Sequence, residues 1–399
     1  MKWASAVSRE PNVELAIEES IAAVSQELEK DNVDLAVVFI SGEHAPHYDR
    51  IPELVQRKLN AKVLIGCSAG GVIGGGQEVE QTPGFALTIA HLPGINLRPV
   101  HLEGTALPSP DAGPEAWERM MRIAPIEVPA FIALADPFSY PAKELLEGLD
   151  YVYPNSVKIG GMASAAIAPF NNVLYLGTAV HRTGAVVLAI SGDLVVDTIV
   201  AQGCRPIGDP LQITKCNGNL LLELEKEPPL EALRRVVRSL NEEDKELARH
   251  SLLLGIVMDR MLDHPSHGDF LIRNIMGWDP NKGIMQIGEL LTEGQIVQFH
   301  LRDAKTSTDD LTELLKQYSE DKVGTQSEGA LLFSCNGRGV NLYGQANHDT
   351  GLFQTQVGSI PLGGFFCAGE IGPVNGNTFL HGHTSSFAIF RPTTQNKLS

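Results

Sequence analysis

Arg338 stands between two glycines in Ser334-Cys335-Asn336-Gly337-Arg338-Gly339, directly after an apolar run at 329–333. An arginine there can present a planar, permanently charged fork while the backbone stays close, which suits a bidentate contact to a carboxylate. A surface arginine in a turn is the plain alternative. Glu370 lies in Cys367-Ala368-Gly369-Glu370-Ile371-Gly372, an otherwise small and apolar string. A carboxylate in such surroundings needs a basic partner or the amine of a ligand. Together the two charges match the ends of a zwitterionic amino acid. Pairing with each other and exposure to water are the competing readings.

Cys67, Cys335 and Cys367 each sit at or next to the end of an apolar run. A nucleophilic thiolate needs a nearby base, for which His348, His381 and His383 are candidates. The commoner state of such a cysteine is an inert buried thiol, so no catalytic residue is assigned. His381-Gly382-His383 puts two imidazoles on one face of a strand, but no Asp, Glu or Cys is close enough in sequence to complete a site. No metal is expected. The glycine-rich stretch 66–76 lacks the Lys-Ser/Thr of a phosphate loop, does not fit G-x-G-x-x-G, and leads into strands rather than a helix. It reads as tight turns and close backbone approach, or as a small-anion nest, and no cofactor is expected.

The elements that must position these residues recur. An amphipathic helix with Val13, Ile17, Ile21 and Val24 on one face starts after Asn12, a good cap. Then a continuous apolar strand at 35–40, a helix at 51–59 and a strand at 62–65 run into the glycine loop. Strands at 85–91 and 96–101 follow and pair through Pro93-Gly94. The same order returns with a strand at 130–135, a helix at 142–149 and the string Gly160-Gly161-Met162-Ala163-Ser164. It returns again with 329–333 and Pro361-Leu362-Gly363-Gly364. A unit of strand, helix, strand, glycine loop and strand pair is therefore repeated three times, with periods too long for a solenoid. The middle section differs, and the charged, Pro-rich stretch 223–229 is the expected domain boundary.

Composition narrows the functional classes. The 399 residues are 43% hydrophobic and 20% charged, which excludes a largely disordered chain. A net charge of −17 repels phosphate backbones and anionic lipid, so nucleic-acid binding is not expected. No apolar run approaches the roughly 20 residues of a membrane helix, so membrane insertion is not expected either. The N-terminus has no secretory pattern, and the five cysteines are scattered with no CxxC pair. A cytoplasmic protein is expected.

Three strings carry a family resemblance: Gly66-Cys67-Ser68-Ala69-Gly70-Gly71, Phe333-Ser334-Cys335-Asn336-Gly337-Arg338-Gly339, and Gly364-Phe365-Phe366-Cys367-Ala368-Gly369-Glu370-Ile371-Gly372-Pro373 with His381-Gly382-His383-Thr384 after it. They resemble the FIST (F-box and intracellular signal transduction) family, over residues 33–391. The resemblance implies a sensory input module for small ligands such as amino acids. Family members often join it to an F-box, a chemoreceptor, or a kinase or cyclase domain. No such segment fits this sequence, so a stand-alone protein with output through a protein partner is expected. Gly71-Val72-Ile73 stands where Gly-Glu-Ile would fit the family, leaving the acidic residue to the C-terminal copy at Glu370.

The expectation is thus an α/β protein of two associated FIST domains: an N-terminal helix at 1–32, a FIST N-terminal domain at 33–222 and a FIST C-terminal domain at 223–399. The glycine loops converge on a cleft between the domains. There Arg338 holds a ligand carboxylate, Glu370 the amine, and the amides of Gly70, Gly337 and Gly369 line the site. Cys335, Asn336, Cys367, Cys67 and Ser68 complete the set. The alternatives are an interaction scaffold without a small ligand, or an enzyme using Cys335 or Cys367.

Overall fold

Runs of β-branched and apolar residues become strands buried on both faces, as in Leu35–Ser41, where all seven residues are buried. The computed structural model describes all residues except 29–31, 105–106, 110, 260–261, 263–264, 324–325 and 394–399. Its elements fall into three repeats. The first runs β1 (Lys2–Ser8), α1 (Val13–Leu28), β2 (Leu35–Ser41), α2 (Ile51–Leu59), β3 (Val63–Ala69), β4 (Gly71–Gly74), β5 (Gln77–Glu80) and β6 (Phe85–His91). The second runs β7 (Asn96–Leu102), α3 (Pro114–Met121), β8 (Ala130–Ala135), α4 (Ala142–Val152), β9 (Lys158–Met162), β10 (Leu174–Leu176), β11 (Ala179–His181) and β12 (Ala185–Ser191).

The third repeat opens with β13 (Leu194–Ala201) and is then interrupted. The interruption holds β14 (Cys204–Asn217), β15 (Leu220–Leu224), α5 (Pro229–Ser239), α6 (Glu242–Ser251), β16 (Leu252–Val257), β17 (Phe270–Asp279), β18 (Ile284–Ile287) and β19 (Ile296–Arg302). The repeat resumes with α7 (Ala304–Asp321), β20 (Gly329–Cys335), α8 (Val340–Tyr343), α9 (His348–Gln356), β21 (Leu362–Cys367), β22 (Glu370–Val374), β23 (Asn377–His381) and β24 (Ser385–Pro392).

Each repeat builds one six-stranded sheet, and the three orders correspond: β1-β6-β2-β3-β10-β11, β7-β12-β8-β9-β22-β23 and β13-β24-β20-β21-β4-β5. The first four strands of each sheet come from its own repeat. The last two are a hairpin supplied by another: the first repeat gives β4-β5 to the third, the third gives β22-β23 to the second, and the second gives β10-β11 to the first. In each repeat the central strands are parallel, and a glycine occupies the equivalent register position. A Cβ at Gly66, Gly160 or Gly364 would come within 2.1, 1.9 or 1.9 Å of the carbonyl oxygen of Val38, Ala133 or Leu332. Only glycine allows that approach.

Two expectations change here. Residues 96–102 do not pair with β6. They open the second repeat and pair with β12, while β6 is filled by β1 and β2. The first 32 residues hold a strand as well as a helix, and β1 completes the first sheet in a seven-residue register with β6. The helix starts as expected: Asn12 Oδ1 accepts the amides of Glu14 and Leu15 at 2.9 and 3.1 Å.

The inner faces of all three sheets share one core, with Phe39, Ile65, Leu134, Ile159, Phe333 and Phe365 among its members. Helices cover the outer faces: α1 and α2 on the first sheet, α3 and α4 on the second. On α4, Leu145, Leu146 and Leu149 are buried against the second sheet, each worth roughly 1.5–3 kcal/mol of transfer free energy.

The chain forms two compact units. One is Met1–Val200 with Thr312–Leu380 and Thr384–Ser399; the other is Ala201–Leu311 with His381–His383. The second unit is a closed barrel in the order β14-β15-β18-β17-β16-β19, filled by residues such as Ile213, Leu254, Met285 and Phe299. The expected boundary at 222/223 falls inside β15, because strands on both sides of it pair within this barrel.

Candidate functional site

The hairpin exchange forces each repeat to leave its own sheet just after β3, β9 or β21. The three exit points bond to one another. Ser164 N donates to Ser68 O at 3.2 Å, Ala368 N to Met162 O at 3.1 Å, and Met162 N to Gly369 O at 2.8 Å. At the third junction a side chain intervenes. Gly70 N donates to Ser164 Oγ at 2.9 Å, and that hydroxyl in turn donates to Phe366 O. Small residues are required: a Cβ on Gly70 would lie 2.9 Å from Asn336 Oδ1. Gly70, Asn336 and Ala368 are exposed at this meeting point, and Cys335, Gly337 and Ser164 are half-buried.

Glu370 is fully buried, and its Oε2 accepts the Thr384 amide at 3.1 Å. Thr384 O accepts from Cys335 N, and Cys367 O accepts from Asn336 N, both at 2.9 Å. Cys335 and Cys367 are register partners on adjacent parallel strands. Burial pushes the Cys67 and Cys367 thiols well above their ordinary range, and for Cys367 the Glu370 charge adds to it. A nucleophile needs the opposite shift, so neither thiol suits covalent catalysis. Ser68 is also committed, donating to Asn172 Oδ1 at 3.3 Å and accepting from Val173 N at 3.0 Å.

Arg338 departs from expectation. It is 0% exposed, and its fork faces Asp349 rather than a ligand. Nε donates to Oδ2 at 2.8 Å and Nη2 to Oδ1 at 3.2 Å. Its guanidinium carbon lies 5.6 Å from the centre of the Tyr343 ring, which stacks on His348 with centroids 3.4 Å apart. Asp349 Oδ1 is 3.0 Å from His348 Nδ1, and Oδ2 accepts from Ser385 and, at 3.4 Å, from Ser334. Burial alone would raise the Asp349 carboxyl. The Arg338 charge, with hydrogen bonds from His348, Arg338 and Ser385, holds it well below the ordinary range. The pair anchors the turn that carries Asn336 and Gly337.

The β4-β5 hairpin donated by the first repeat completes this region. Glu80 Oε1 accepts from Val340 N at 3.0 Å at the start of α8, and Glu78 Oε1 accepts from Thr350 N at 2.9 Å in the first turn of α9. Burial, and then the nearby Asp349 charge, push the Glu78 carboxyl up to about 7. The structure thus gathers the ten candidate residues in one compact unit, on strand ends and the loops between them from both halves of the sequence. Asp349, Ser385, Glu78 and Ser164 were missed. Ser164 alone had a signal, since it aligns with Gly70 and Ala368 once Gly66, Gly160 and Gly364 are superposed.

Comparison with known proteins now decides the grouping. Residues 34–227 match the FIST N domain and 229–373 the FIST C domain. The chain belongs to the FIST family. FIST domains are associated with signal transduction and small-ligand binding. An uncharacterized protein of Mycobacterium tuberculosis (strain ATCC 25618 / H37Rv) is 35% identical over 390 residues, covering 98% of this chain and 100% of the relative. Another, from Mycobacterium bovis (strain ATCC BAA-935 / AF2122/97), is 33% identical, covering 98% and 99%. A solved structure of a cyanuric acid hydrolase from A. caulinodans aligns over 98% of this chain and 100% of its own, at TM-score 0.34 and 8% identity. At that level it fixes neither fold nor activity. Among the described residues no helix of this FIST protein is long and apolar enough to cross a membrane.

Proposed function

We propose that this FIST protein is a cytoplasmic sensor that binds a small zwitterion, such as an amino acid, where the three strand-exit loops meet. The observation that carries this reading is the open surface at Gly70, Asn336 and Ala368 with the buried Glu370 carboxylate in the adjoining strand. Asn336 and nearby amides take the ligand carboxylate, and the buried Glu370 attracts the amine through its charge from the adjoining strand. Arg338 serves through Asp349, holding the Asn336-Gly337 turn in place, and is a positioning residue.

Output passes through a protein partner. Phe138, Ile167 and Phe170, on the loops after β8 and β9, are 43%, 98% and 64% exposed and would form its contact. The test is a thermal-shift panel of the standard amino acids on the purified chain. A ligand at 100 times its dissociation constant adds roughly 2.7 kcal/mol, which a melting curve resolves. A selective shift that disappears in Glu370→Gln supports the assignment. No shift with any amino acid removes the ligand reading and leaves the scaffold.

A further inference from the structure

The outer helix layer of the second repeat contains a cavity of about 410 Å³ with a chemistry of its own. Helix α4 has two faces. Ala142, Leu145, Leu146, Leu149 and Val152 are buried and pack on the sheet. Glu144, Glu147, Gly148 and Tyr151, spaced i, i+3, i+4 and i+7, form the other face and line the cavity. Opposite them is Trp117 of α3, with Pro108 and Pro141 as further walls. Gly148 makes this arrangement possible, because a Cβ there would sit 1.9 Å from the indole Cη2. The helix gives up a side chain so that the indole can lie against its backbone.

The lining therefore combines an indole, a phenol ring, two proline rings and two carboxylates, with no lysine or arginine. Neither Glu144 nor Glu147 forms an ion pair with any other described residue. Aromatic faces attract a cation whose charge is spread over alkyl groups, and carboxylates add to that attraction. An alkylated ammonium gives up little hydration on entering and fills the apolar walls, whereas a primary ammonium would engage the two carboxylates and leave the rings uncovered. We infer that this cavity binds a small alkylated ammonium ion, independently of the site at the strand exits.

Isothermal titration of the full chain with choline tests this, set against its neutral isostere in which carbon replaces the nitrogen. Choline is expected to bind saturably, at least ~tenfold tighter than the isostere. The exposed double variant Glu144→Gln/Glu147→Gln should weaken it by about tenfold with the melting temperature unchanged. Tyr151→Phe should bind as the parent does, because the ring face acts and not the hydroxyl, whereas Tyr151→Ala should lose most affinity. Absence of saturable choline binding overturns the assignment. So does equal affinity for the isostere, or affinity unmoved by both the double variant and Tyr151→Ala. Glu370→Gln leaves choline binding unchanged, which separates this outcome from the fate of the strand-exit site.

Discussion

Arg338 and Asp349 are 0% and 3% exposed at their side chains and satisfy each other in two hydrogen bonds. Removing one partner strands the other charge in the interior. Arg338→Ala is therefore expected to cost ~3–5 kcal/mol of stability, measured by urea denaturation. Replacing both residues together with apolar ones of similar volume should recover most of that loss. An Arg338→Ala variant as stable as the parent would contradict the pairing. Glu78 titrates with the opposite consequence. Its folded value is raised from 4.5 to about 7, so between those values the folded state keeps a proton that the unfolded chain releases. Stability should fall as pH rises from 4.5 to about 7 and then level off as far as this group is concerned. Asp349 acts outside that window, since its stabilisation is lost only as pH falls below the usual carboxylate range. Glu78→Gln should flatten the slope in denaturation curves taken across the interval; the parent slope persisting would show that another group is responsible. The residue types at Arg338 and Glu370 were legible as chemistry, but the partner was not. Asp349 lies 11 residues from Arg338, at the start of a helix, and no local spacing marks it.

Strands, helices and glycine loops were legible because their periodicity is local. The exchange of hairpins was not, because it is decided by pairings between distant parts of the chain: β4 with β21, β10 with β3 and β22 with β9. The repeats meet in a ring of hydrogen bonds at the three strand exits. The Ser164 side chain is inserted into that ring, donating to Phe366 O and accepting from Gly70 N. Ser164→Ala leaves both groups without this partner and should cost ~1–3 kcal/mol. Hydrogen exchange should then quicken at the Gly70 amide. Unchanged stability together with unchanged protection would mean that water replaces the hydroxyl and the junction is not structural. The strand at Lys2–Ser8 was not legible for a related reason: it carries Ser5 and Ser8, whose burial depends on Thr88, far along the chain, and on Glu19 of α1.

Three repeats that trade hairpins around one core cannot be separated without exposing that core. A fragment spanning 34–227 keeps two repeats but loses β1 from the first sheet and β22-β23 from the second. It also loses Leu331, Phe333, Phe365 and Phe390 from the shared core. We expect no cooperative melting transition from that fragment; a sharp one would show that the sequence domains fold independently. The same interlocking brings loops from both halves of the sequence to one surface, and that convergence is the basis for the ligand reading. Its most direct test is a crystal structure grown with the amino acid that raises the melting temperature most. Ligand density is expected against Asn336, Gly70 and Ala368, with the ammonium directed toward Glu370. Density lodged elsewhere on the molecule, or an undisturbed Asn336-Gly337 turn with none beside it, would contradict it.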